Sequence, residues 1–548
     1  MTRWVAVWAL TGSLAAMPAL AQHAPGRGQA PAELAQLAND LREARRAFTD
    51  RADYSSAAVA AHGRQFAEFR ARLDRMPRST WPVADQVDWY VLETELNLEE
   101  YERRIRRSPS RDPGFYVQRA LTLVPSDPET LTDEQAATLA RRLEAVPALI
   151  AQARVNLTEA SRTHAELALR ALEQVRGVRV QQSAIDRFQW LATLTATRHP
   201  EVSKRADAAA KTLIGYAAWI REFMPSMTSR GHIGLDGFDW YLQHVLMMPY
   251  RAETLLALAD RDLTRTMANL AFEENRNRNE PPLLPAATEA DYLARVAEAD
   301  RMTRRWLKDG NILTVADDTP DVGVTVPWRE GGKVGQVTPV HYWQEIQFRD
   351  PLPDHLHAGI PGHRYDGRVM RSHPRPIRAG HSDRGRSEGW GFYLEEMALM
   401  SGMFDERPRT RELIHNFQLF RYVRMELDIK MAAGDMTPQQ AVDLQKFWVP
   451  LMEDQVAWSE GAGYFVNPTS GTVYTAGKYQ LESLVAHLRR QLGDRFDLRA
   501  FHDRFMEAGP IPIVLTTWEL TGDDTELKKV LALRGSQPPA TAARTPGR

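Results

Sequence analysis

From Ala32 onward, apolar residues recur at three- and four-residue spacings. The runs 34–48, 55–76, 84–107, 133–157 and 201–227 carry this pattern, and 252–275, 289–308, 410–433, 437–458 and 474–492 continue it. A period near that of the α-helix predicts amphipathic helices that bury one stripe each. Thr132 with Gln135, and Thr437 with Gln440, have capping-box spacing, so helices should begin there. Pro147 falls inside 133–157 and should kink or split that helix. Segment 231–249, rich in glycine and aromatics, turns the chain toward its second half. No fixed-period repeat is present, which argues against a solenoid.

Between 312 and 348 the pattern changes. Val, Thr, Pro and Gly accumulate around a Gly-Gly pair, which reads as one or two short strands. Such a ribbon would offer an edge to an extended peptide, or serve as a structural flap. The expected fold is mostly α: a large helical body with a small β ribbon near the candidate site and a central cleft. A helical N-terminal half, 22–310, is followed by a second half, 311–536, of the same continuous body.

The ends read differently. Arg3, the apolar run 4–14 and Ala19-Leu20-Ala21 form a signal peptide over 1–21, cleaved after Ala21. The apolar run is too short to span a bilayer. This predicts a periplasmic or secreted protein. Residues 537–548 form a polar, Pro/Ala-rich tail expected to be disordered.

Composition removes several function classes. The net charge of −2 over 548 residues favours neither nucleic acid nor an anionic membrane. No other run is apolar enough for a membrane span. There is no cysteine, so disulfides, thiol nucleophiles, Cys-based metal sites and a thioether lipid anchor are all excluded. Any metal must sit on His, Asp or Glu.

The candidate chemistry lies in 355–396. Six of the fifteen histidines (His341, His355, His357, His363, His373 and His381) fall within 41 residues. Glu388 then opens an amphipathic helix. Imidazoles with a carboxylate nearby can build a three-ligand zinc site with one open position. A histidine-rich surface loop is the bland alternative. His357 and His363 are six apart, which on a straight helix leaves them roughly 120° apart. Pro361 and Gly362 permit a break that could bring both rings to one ion. Glu388 and Glu395, seven apart, share a helix face; Glu388 suits a third ligand and Glu395 a carboxylate that orients a ligand imidazole. Gly389 and Gly391 suit close packing, whereas Trp390, Tyr393, Met397 and Met400 look like core.

These residues resemble the bacterial domain-of-unknown-function 885 family, placed among gluzincin-type metallopeptidases. The family carries His-Glu-x-x-Pro-Gly-His, then Glu-Gly-Trp-x-x-Tyr-x-Glu. This chain reads His357-Ala-Gly-Ile-Pro361-Gly362-His363, then Glu388-Gly389-Trp390, Tyr393 and Glu395. Pro468, Tyr474 and Gly477, the stretch Phe496 to His502 with Gly509 and Pro512, and the first-half positions Arg142-Leu143, Val146-Pro147 and Asn156-Leu157 are similar as well. The resemblance implies one Zn²⁺ on His357, His363 and Glu388, with Tyr474 donating to an oxyanion. It implies that His502 binds substrate or caps a helix. Lys478, outside the family pattern, could pair with a substrate carboxylate.

Two positions depart from the family. Ala358 stands where the family has the glutamate that moves protons, and Ser470 where it has a glutamine. Glu345, Asp354, Glu395 or His355 could replace the missing base. The expected function is therefore a zinc-dependent hydrolase of peptides or related amides with an altered base. The alternative is an inactive relative that binds peptides.

Overall fold

The computed structural model describes residues 30–125, 128–174, 183–323, 325–328 and 340–536. The expected signal peptide and C-terminal tail lie outside the described residues. Most of the periodic runs fold as α-helices, among them Ala32–Arg51, Val83–Tyr101, Pro200–Phe223, Ala252–Arg276, Glu289–Asp309, Pro408–Ala433 and Thr472–Leu492. Both capping boxes form, at Thr132/Gln135 and Thr437/Gln440. Each satisfies N–H groups that the helix itself leaves open.

Two runs are interrupted. The 133–157 run divides at Glu144 into Asp133–Leu143 and Ala145–Asn156, with Pro147 in the first turn of the second helix. There its missing N–H breaks no helical bond. The 437–458 run divides into Pro438–Trp448 and Asp454–Val466, around Pro450. Segment 231–249 contains a helix, Gly234–His244.

The expected β ribbon is absent. Among the described residues no strand forms, and the one strand-like pairing is an isolated bridge between Ser161 and Thr228. The described residues of 312–328 instead give backbone groups to side chains on neighbouring helices. Thr314 N–H donates to Asp503, and the Tyr365 hydroxyl to the Thr314 carbonyl. The Tyr292 hydroxyl donates to the Val326 carbonyl, and Arg364 to the Val322 carbonyl. Residues 342–349 form a helix capped by His341. Residues 324 and 329–339 lie outside the described residues. The fold is mostly α, as expected, and among the described residues no ribbon edge forms; single side chains take the place of a partner strand.

Three packing features hold the candidate site. First, Leu34, Leu41, Phe66 and Val87 share a core with Ile377, Ile511, Val514 and Val530. Beside it the buried Asp88 accepts from Arg375 and Arg378, and Arg378 also donates to both oxygens of Glu519 at 2.8 Å. Buried charges persist when paired and hydrogen-bonded in this way. The stretch between His373 and His381 is therefore clamped to helices Val83–Tyr101 and Ile513–Thr521. Second, helix Arg384–Met400 packs along Thr472–Leu492 and against Leu352–Ala358. A Cβ on Gly389 would lie 2.5 Å from the Gly477 carbonyl carbon, so these two helices touch backbone to backbone. Third, Pro408–Ala433 is buried on all faces and packs on both Thr472–Leu492 and Ala252–Arg276. No described helix is long and apolar enough to cross a membrane.

Candidate metal centre

Helix Leu352–Ala358 ends at Gly359, the chain turns through the cis Ile360–Pro361 peptide and Gly362, and His363 opens the next helix. A Cβ on Gly362 would run into the His357 carbonyl, so only glycine lets this turn close so tightly. The break solves the spacing problem of a straight helix. The two rings meet at right angles, with centroids 4.7 Å apart.

The ligand atoms form a compact triangle. His363 Nε2 lies 3.1 Å from His357 Nε2 and 3.1 Å from Glu388 Oε2, and His357 Nε2 lies 3.5 Å from the same oxygen. An ion bound tetrahedrally at zinc–nitrogen distance requires its ligand atoms about 3.3–3.4 Å apart. The triangle therefore has the size of one face of such a tetrahedron. The donor set, two imidazoles and a carboxylate, suits zinc and leaves a fourth position for water or substrate.

The surroundings orient these donors. His357 Nδ1 lies 2.8 Å from Glu395 Oε1, while Glu388 faces its Nε2. The seven-residue spacing thus sets one carboxylate on each nitrogen of a single imidazole. The ring lies over Gly391, where a Cβ would come within 2.5 Å of it. Burial pushes the Glu388 carboxyl up, but the two imidazoles beside it outweigh this and hold it well below the usual carboxylate range. Burial also raises the Glu395 carboxyl, and here the Arg421 charge and then His357 overcome it. His363 Nδ1 lies 3.2 Å from Ser387 Oγ. Partners of this kind fix the ring orientation of a ligand histidine.

Tyr474 lies beside the triangle, its ring nearly parallel to that of His357 at 6.3 Å. Burial and the nearby Glu388 charge raise its hydroxyl pKa. Ala358 is half-buried among fully buried neighbours, next to His357.

The other candidates fall elsewhere. His355, two residues from His357, points to the opposite side of its helix, where Nε2 sits 3.2 Å from Asp300 Oδ1. It is not placed to act as a base at the triangle. Asp354 accepts from Gln347 and Thr325, and Glu345 pairs with Arg349. Glu395 lies behind His357, fully buried, and positions it instead of facing the open side. Lys478 is buried between Glu396, Glu482 (3.1 Å) and the Tyr422 hydroxyl (3.1 Å), which leaves it no role toward a substrate carboxylate. Among the remaining histidines, His341 caps a helix, His373 meets the Glu507 carbonyl and His381 meets Glu95. The histidine-rich loop is thus largely a set of local anchors around two ligands. Trp390 and Tyr393 are core as expected, but Met400 is exposed.

His502 is in the core, not on a binding surface. Its Nδ1 lies 2.7 Å from the Ile312 carbonyl and its Nε2 3.0 Å from the Tyr393 hydroxyl, so the neutral ring is fully used. Burial pushes its pKa down from 6.5 to about 4. The folded state then binds fewer protons than the unfolded one between these values. The stability from this neutral ring is complete above pH 6.5 and is lost as pH falls toward 4, costing about 2 kcal/mol between pH 7 and 5. Urea unfolding at both pH values should show a smaller drop for His502→Gln than for the native chain. An equal drop in both would contradict this assignment.

Sequence reasoning missed a charged stripe on Pro408–Ala433. Arg421 donates to Glu395 at 3.0 Å and lies 5.1 Å from the centre of the Tyr474 ring. Arg424 stacks on the same ring at 4.5 Å and donates to Glu460. Asp428 accepts the N–H groups of Thr469, Gly471 and Thr472 and so caps the helix that carries Tyr474. Burial pushes the Asp428 carboxyl up to about 7, against those three donors. The available signal was three charges, Arg421, Arg424 and Asp428, at three- and four-residue spacing on one helix face.

A family model described as "Bacterial protein of unknown function (DUF885)" matches residues 40–308 and 355–517. Two solved structures are similar. One is a protein of unknown function from Shewanella oneidensis, described as a lipoprotein, with a TM-score of 0.71 at 17% identity over 91% of this chain and 99% of its own. The other, from Colwellia psychrerythraea and also described as a lipoprotein, has a TM-score of 0.63 at 15% identity over 90% of this chain and 99% of its own. Both likenesses show a shared fold. No curated protein matches the chain.

Proposed function

The chain belongs to the bacterial DUF885 family of proteins of unknown function, and from its site we propose that it is a gluzincin-like, zinc-dependent hydrolase of peptides or related amides whose proton transfer no longer runs through a carboxylate at position 358. The observation that carries this reading is the His357–His363–Glu388 triangle, whose edges match a tetrahedral zinc face. Zinc held there would lower the pKa of bound water and polarise a carbonyl. The protein's own contributions are distinct. Glu395 and Ser387 orient the two ligand imidazoles. Tyr474 offers a hydroxyl beside the triangle to stabilise an oxyanion. Arg421 and Arg424, stacked on its ring, strengthen that hydroxyl as a donor.

Proton transfer is the weak point. Ala358 offers no carboxylate, and the four groups that could replace it are engaged elsewhere. Slow turnover follows, which also supports the second reading: a zinc-loaded protein that binds peptides without cleaving them. The signal-peptide reading supports a site of action outside the cytoplasm, and the lipoprotein description of both structural neighbours agrees. With no cysteine to carry a thioether lipid, this chain would be released in the periplasm or secreted.

Elemental analysis of the purified chain should find one zinc per molecule. Turnover of a mixed peptide library should stop with a chelator and return with zinc. Absence of stoichiometric metal would remove the hydrolase reading. Stoichiometric zinc with no turnover of peptides, esters or amides would leave the binding protein.

A further inference from the structure

We infer that Arg384 is a carboxylate anchor that selects ligands with a free carboxylate close to the bond presented to the triangle, a peptide C-terminus above all. This rests on the proposed reading of the site and names its substrate class. Three observations carry it.

Arg384 is the first residue of helix Arg384–Met400, one turn before Glu388, so the two side chains project from the same face about 5–6 Å apart. A cation at this position opposes the positive end of the helix dipole, so it does not serve the helix. Asp383, its neighbour, is buried and committed to capping the Arg386 N–H.

Arg384 is also exposed, and among the described residues no carboxylate pairs with it. The other arginines around the triangle are spent: Arg386 on Asp366, Arg421 on Glu395 and Arg424 on Glu460.

Finally, the side chain is held in place. Nη1 donates to Ser470 Oγ at 2.9 Å, from the segment that leads into the Tyr474 helix. That bond leaves the Nε–Nη2 edge open, and this edge matches a carboxylate with two parallel hydrogen bonds.

The geometry sets the reach. With about 5–6 Å between the Cβ atoms of Arg384 and Glu388, a carboxylate held on Arg384 would sit within a few residues of the triangle along an extended peptide, at about 3.3–3.6 Å per residue. This favours release of a few C-terminal residues over cleavage in mid-chain.

The test uses the full zinc-loaded chain and calorimetry. The probes are N-acetyl tripeptides of mixed sequence with a free C-terminal carboxylate, and the same peptides amidated. The acids should bind at least about tenfold tighter than the amides, the scale of a hydrogen-bonded charge pair. Arg384→Gln should erase the difference at unchanged zinc content, and Arg384→Lys should restore part of it. Equal binding of acids and amides by the native chain, or a preference that survives Arg384→Gln, overturns the inference. Zinc content is read separately. Normal zinc without the preference sinks this inference alone, and an Arg384-dependent preference without stoichiometric zinc sinks the metal reading alone.

Discussion

Ala358→Glu should raise peptide hydrolysis by about 10²–10⁴-fold, the usual contribution of a positioned acid–base group. Position 358 follows the ligand His357 at the end of its helix, and it is half-buried in a stretch that is otherwise buried. A carboxylate there would take a proton from the attacking water and return it to the leaving amine. None of the nearby acids can do this now. Glu395 is behind His357 and held by Arg421, Asp354 is bonded to Gln347 and Thr325, and Glu345 is paired with Arg349. The substitution adds a negative charge near a helix C-terminus, a cost of about 0.3–1 kcal/mol that the fold can bear. Rates on a mixed peptide library, compared at equal zinc loading, decide the matter. A neutral or harmful effect would mean that the native site already owns a base, and that water activation does not run through position 358.

His357→Ala should abolish stoichiometric zinc. The imidazole supplies one of three ligand atoms, and its neighbours are built around it. Gly391 leaves the space for the ring, Glu395 sits on its Nδ1 and Arg421 holds Glu395. Two ligands remain, which is too few for a stable site of this kind. Glu395→Gln keeps the ligands but weakens their support, and should lower zinc affinity by about 10–100-fold. It also leaves Arg421 buried without its carboxylate partner, so its melting temperature should fall as well. Metal content by elemental analysis and affinity by chelator competition separate the two variants, with circular dichroism confirming the fold. Unchanged zinc in His357→Ala would mean that the ion, if any, has other ligands.

Helix positions, the two capping boxes and the break at Pro361–Gly362 were legible in the sequence, because each depends on residues close along the chain. A 3.6-residue period, a Thr three residues before a Gln and a Pro-Gly pair act locally, and tertiary packing left them in place. The spacing of His357, His363, Glu388 and Glu395 was legible for the same reason: one tight turn and one helix face bring the four together. The ribbon read at 312–348 failed where local preference met long-range partners. Asp503, Tyr292 and Arg364 took the backbone groups that a second strand would have taken.

Which charges face one another was decided only by the tertiary structure. From the sequence, Lys478 and His502 were candidates for contact with a substrate and His355 for a base, and nothing singled out Arg384. Helix packing buried Lys478, His502 and His355 against Glu396, the Ile312 carbonyl and Asp300, and left Arg384 exposed one helical turn before Glu388. The same packing turned Arg421, Arg424 and Asp428, an unremarked stripe on one helix, toward Glu395, Tyr474 and the start of the Tyr474 helix. A buried charge must find its counter-charge or donors wherever the fold supplies them, and those lie tens to hundreds of residues away along the chain. Sequence spacing therefore determines which side chains share a helix face, while their pairing across helices decides which of them remain free to act.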